Sequence, residues 1–145
     1  MADDDADKSI TLTRTIDAPV EEVFAAWTDA ALLEQWQAET VDFEAFEGGA
    51  FRFETADEDD VSQSHVVEGR VLGIEENRKL VELWQYAGAD GPEESTLVVT
   101  FRAIDADRTE VTLVEIAQSH DDPESRIFSI EAWSAALEEL AELLE

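Results

Sequence analysis

Residues 123–145 limit what this chain can fold into more than any other stretch, because they read as one long helix. Asp122 is placed to cap its N-terminus, Pro123 suits its first helical position, and Glu124 complements the dipole there. Ile130, Trp133, Leu137, Leu140 and Leu144 follow at steps of three and four, one apolar stripe that Ile127, Phe128 and Ala141 widen. Glu131, Glu138, Glu142 and Glu145 fall on the opposite face. At 1.5 Å per residue such a helix is roughly 34 Å long, about the width of a small domain. It needs a broad apolar partner.

The rest of the chain supplies the pattern of a sheet. Residues 9–16 alternate, with Ile10, Leu12 and Ile16 on one face and threonines on the other. Arg14 shares parity with the apolar set, so it either reaches a buried acid or sits at an edge in water. Asp17-Ala18-Pro19 ends the strand and opens a helix carrying Val20, Val23, Phe24 and Trp27. Thr28-Asp29 ends that helix and caps a shorter one with Leu32, Leu33 and Trp36. Six further strands are expected: 40–46, 50–55, 64–75, 80–86, 96–104 and 109–117. Gly48-Gly49 makes a hairpin turn, residues 88–94 a loop, and Gly69 and Gly73 are placed to bend the third of these strands. Successive strands joined by short turns imply an antiparallel meander. The expected fold class is α+β: about six to seven curved antiparallel strands, two short helices after the first, and the long helix packed across the sheet.

A chain of 145 residues suits one domain, expected over residues 9–145 behind an acidic tail at 1–8. There is no cysteine, which excludes disulfides, zinc–thiolate sites and cysteine nucleophiles. No run is apolar enough for a membrane span and no secretory start is visible, so the expected localisation is cytoplasmic. Thirty-seven acids against nine bases give a net charge of −28. Four tryptophans, seven phenylalanines and clear periodicity argue against disorder. The preferred reading is adaptation to a salt-rich cytoplasm, since at molar salt the Debye length is about 3 Å and self-repulsion is muted. It predicts a melting temperature that rises steeply with KCl; a flat response between dilute and molar salt refutes it. The same charge argues against nucleic acid and anionic lipid as partners.

This order of elements, with these residues, resembles the START-like or SRPBCC superfamily, and within it the heat-shock-protein-90 ATPase activator homologue family. The carriers are Ala18-Pro19, Val23-Phe24, Trp27-Thr28-Asp29 and Leu33 with Trp36. Gly48-Gly49-X-Phe51, Gly69-Arg70-Val71, Leu80 to Trp84, Thr109-X-Val111-X-Leu113 and Trp133…Leu137…Leu140 complete them. The resemblance implies a helix-grip fold, a curved sheet gripping the long helix with a hydrophobic cavity between them. It also implies a chaperone as a second class of partner.

From the residues themselves, the interior is aromatic-rich. Trp36, Phe43, Phe53, Trp84, Phe101, Phe128, Trp133 and Leu137 are the expected lining of a cavity for a small hydrophobic or aromatic ligand. A filled core is the alternative. The polar candidates are Arg14, His65, Glu115 and His120. His65 shares parity with Val67 and Val71, and His120 precedes the long helix near the expected cavity mouth. Glu115 shares parity with Val111 and Leu113, which makes a pairing with Arg14 conceivable. No Ser-His-Asp spacing, metal-ligand spacing or paired-carboxylate motif stands out, so no catalytic residue, metal or cofactor is expected. A non-catalytic ligand-binding protein is the leading reading. A co-chaperone-like stress protein and a cyclase- or hydrolase-type enzyme are the alternatives. Val98 and Val114 lie on the outer face, where a weak dimer could form; otherwise a monomer is expected.

Overall fold

Strand parity becomes a single sheet in the structure, a computed structural model that describes residues 8–56, 64–88, 91–117, 120 and 122–145. Apart from Lys8, the expected acidic tail lies outside the described residues, as do residues 57–60, which the sequence reads as part of an acidic loop, and three of the four residues at 118–121, read as the loop before the long helix. The strands are β1 (Ser9–Ile16), β2 (Thr40–Phe43), β3 (Ala50–Ala56), β4 (Ser64–Glu75), β5 (Lys79–Gly88), β6 (Gly91–Asp105) and β7 (Arg108–Ala117). All neighbours are antiparallel, in the order β1-β7-β6-β5-β4-β3-β2. Six consecutive strands form the expected meander, and the first strand closes against the last. The helices are α1 (Val20–Thr28), α2 (Ala30–Leu33) and α3 (Pro123–Leu144).

The caps form as the residues require. Asp29 accepts from the backbone N–H of Ala31 and Leu32, which starts α2. Asp122 accepts from the N–H of Ser125 with Pro123 in the first turn, which starts α3. On the inner face of the sheet Ile10, Phe51, Phe53, Val71, Leu80, Leu97, Val99, Phe101, Val111 and Leu113 are buried. Trp133, Leu137, Leu140 and Ala141 of α3 complete this core with Phe24 and Trp27 of α1. Each fully buried leucine contributes about 1.5–3 kcal/mol. The C-terminal half of α3 is tied to β1 and to the turn between β1 and α1: Arg14 pairs with Glu138, and the N–H of Asp17 donates to Glu145.

Three expectations need correction, and one strand carries a bulge. The second strand ends at Phe43, not residue 46: Gly48, at φ +88°, turns a longer connection and leaves Phe46 exposed. Of the loop expected over 88–94, Gly88 and residues 91–94 are strand instead, because the β5–β6 ladder runs out to Gly88 opposite Gly91. In β4 the register shifts between Val71 and Gly73, so Leu72 is an extra residue that points outward, while Ile74 returns to the core opposite Leu80. Finally, the stripe on α3 is not buried along its whole length. Ile127, Phe128 and Ile130 are 57%, 74% and 39% exposed.

At Gly69 the missing side chain decides the local packing. A Cβ there would lie 1.9 Å from the Leu83 carbonyl oxygen and 2.4 Å from the Phe51 ring. Its absence lets β4 and the phenylalanines of β3 pack closely beneath Trp84.

Candidate functional site

Where the first turns of α3 stop sealing the sheet, a cavity of about 410 Å³ opens. Its walls are Val66 and Val67 of β4, Trp84 and Tyr86 of β5, and Phe128, Ser129, Ala132 and Trp133 of α3, with His65 and Glu115 also reaching it. A space of this size with mostly apolar walls and few polar groups has the character of a small-molecule site. The apolar walls are rigidly backed. Trp84 meets Trp133 edge-on at 5.5 Å and Phe53 at 5.4 Å, and Trp133 stacks on Trp27 at 6.3 Å.

Two inward-facing acids act on this region. Glu115, on β7 between Leu113 and Ala117, is 7% exposed. Three side chains converge on it. His120 Nε2 lies 2.8 Å from Oε1, Trp133 Nε1 donates to Oε2 at 3.2 Å, and Ser95 Oγ donates to Oε2 at 3.5 Å. The indole is a donor only, so Oε2 is an acceptor. His120 is 1% exposed, and its Nδ1 has no hydrogen-bond partner among the described residues. A carboxylate at the cavity, backed by a buried imidazole, can hold or pass a proton and can accept a hydrogen bond from a ligand.

The second acid is Glu82 of β5, 2% exposed. Trp84 Nε1 donates to its Oε1 at 2.9 Å, which fixes the indole that walls the cavity. Burial pushes the Glu82 carboxyl up from its usual 4.5 to about 7, and the hydrogen bond from Trp84 offsets only part of that.

The model of the family described as "Activator of Hsp90 ATPase homolog 1-like protein" matches residues 17–145. The chain belongs to that family, within the SRPBCC superfamily. No protein of curated function matches it. Among solved structures, a Mesorhizobium loti protein superposes at a TM-score of 0.78 with 22% identity, covering 94% of this chain and 96% of its own. A Chromobacterium violaceum protein superposes at 0.76 with 24% identity over 95% and 97%. DynU16, a protein in the dynemicin biosynthetic locus, superposes at 0.77 with 21% identity over 94% of this chain and 47% of its own. At such identities the likeness is one of fold: the helix-grip arrangement.

In this SRPBCC protein the expected site residues divide. Trp84, Phe128 and Trp133 line the cavity, Phe128 from an exposed position at its opening. Trp36, Phe43, Phe53, Phe101 and Leu137 do not line it; they pack in the core. Trp36 closes on Trp27 at 4.8 Å and donates to the Ala26 carbonyl. Phe101 meets Phe24 at 5.3 Å, Phe43 stacks on Phe51, and Leu137 lies in the sealed half of α3. Arg14 does not pair with Glu115. The β1–β7 register sets Arg14 opposite Val111 and Ile10 opposite Glu115, and Arg14 turns to Glu138. His65 reaches the cavity from an exposed position. His120 is not at the mouth; it is buried behind Glu115. Glu82 is a residue that sequence reasoning misses, although it shares parity with Leu80 and Trp84. Among the described residues no group of acids and histidines is arranged to hold a metal ion, and no helix is long and apolar enough to cross a membrane.

Proposed function

We propose that this protein binds a small hydrophobic or aromatic ligand in the cavity between the first turns of α3 and strands β4, β5 and β7. One observation carries the reading: a space of about 410 Å³ walled by Trp84, Tyr86 and Trp133, with the Glu115 carboxylate in it. The cavity would hold the ligand by apolar burial, at about 25 cal/mol per Å² of apolar surface removed from water. The high negative charge is proposed to serve a salt-rich interior, which the KCl dependence of melting tests.

Naphthalene or indole titrated into the protein should produce saturable quenching of tryptophan emission, because two of the four tryptophans wall the site. Ala132 lines the cavity from an exposed position on α3. Ala132→Phe therefore fills the space without disturbing the core and is expected to weaken binding at least tenfold. A linear, unsaturable response in the parent protein, or an unimpaired Ala132→Phe variant, overturns the reading.

A further inference from the structure

We propose that Glu115, held by His120, Trp133 and Ser95, is the recognition point for an aromatic hydroxyl, so that the cavity selects phenol-type ligands over hydrocarbons of the same shape. The inference rests on the ligand-binding reading above and adds the chemistry of the ligand. A carboxylate offers about four acceptor positions. Three donors already approach it: His120 Nε2 at 2.8 Å, Trp133 Nε1 at 3.2 Å and Ser95 Oγ at 3.5 Å. Among the described residues one position is left over, on a carboxylate that itself lines the cavity.

The three donors come from β6, from the segment after β7, and from α3. They fix the carboxylate before a ligand arrives, so little ordering cost remains at binding. Of the residues lining the cavity whose side chains are described, Glu115 and Trp133 are the buried ones. The acceptor therefore sits at the inner end, where a hydrogen bond is least weakened by water. A neutral O–H donor suits it better than an ammonium group. A cation would have to shed its hydration among apolar walls onto a carboxylate whose other positions are already taken. The flat faces of Trp84 and Trp133, set edge-to-face at 5.5 Å, favour an aromatic body behind that hydroxyl.

The test compares 2-naphthol, 2-methoxynaphthalene and naphthalene by isothermal titration calorimetry at pH 7, in the parent protein and in Glu115→Gln. Hydrogen bonds to charged groups are worth enough to make 2-naphthol bind at least about tenfold more tightly than its methyl ether in the parent. In Glu115→Gln that preference, read as the ratio of naphthol to ether affinity within the variant, should shrink to about threefold or less. Equal affinities for naphthol and ether in the parent overturn the proposal without needing any variant. A preference that survives Glu115→Gln overturns it as well. If none of the three compounds binds, the ligand-binding reading falls with it; if naphthalene binds and no hydroxyl preference appears, only the present inference falls.

Discussion

Replacing Trp27 with alanine lowers the stability of the fold by about 3–5 kcal/mol, the range for deleting a large buried aromatic side chain. Trp27 is 1% exposed and is the joint between three elements. Its ring meets Trp36 just beyond α2 at 4.8 Å, Phe101 on β6 at 6.4 Å and Trp133 on α3 at 6.3 Å. Its indole N–H has no hydrogen-bond partner among the described residues, so the loss is one of packing. Urea unfolding should show a lower midpoint with an unchanged slope, and the melting temperature should fall by about 10–20 °C. Trp27→Phe, which keeps a ring and removes the unpaired N–H, is expected to cost less than the alanine variant because it leaves a smaller cavity. A loss below about 1 kcal/mol for the alanine variant would contradict the central place given to this residue.

The second large effect has the opposite sign. Glu82→Gln is expected to stabilise the protein at pH 8 by about 3 kcal/mol. Below pH 4.5 the Glu82 carboxyl is protonated in both folded and unfolded chains, and its environment costs nothing. Between 4.5 and about 7 the unfolded chain has released the proton while the folded one retains it, so stability falls as pH rises. Above about 7 both forms are ionised and the whole cost of burying the charge is present, about 3 kcal/mol at 1.36 kcal/mol per pH unit. Glutamine cannot ionise, yet it still offers an oxygen to Trp84 Nε1. Urea curves at matched ionic strength should show the variant ahead by about 3 kcal/mol at pH 8 and by no more than about 1 kcal/mol at pH 5. A gap independent of pH would rule out the buried carboxyl as its source. Because Glu82 holds Trp84, the same titration should register in the fluorescence of that wall of the cavity.

These sites show what the sequence made legible and what it did not. Period-two alternation identified the inner face of β7 down to Glu115, and helical spacing with Asp122 and Pro123 located α3. Periodicity says that a side chain faces inward, and a packed core and a cavity wall both face inward. Phe53 and Trp84 were therefore indistinguishable in the sequence, although the space above them separates one from the other. The apolar stripe of α3 likewise continues through Ile130 and Ile127 whether or not a sheet lies beneath those turns. In β4 a single added residue, Leu72, reversed the parity beyond Val71, and nothing in its neighbours announces a bulge except Gly73. Glu82 was readable by parity and was lost among thirty-seven acids. The contact between His120 and Glu115 is a tertiary one that no local pattern encodes.

The placement of α3 sets an order of events at birth. Ribosomes deliver a chain from its N-terminus, and here every strand precedes the helix that roofs them. Phe51, Leu97, Phe101 and Val111 thus emerge while their cover is still being made. The β1–β7 pairing spans about a hundred residues, so even the sheet closes late. A nascent molecule of this design carries a bare, greasy concave face through most of its synthesis.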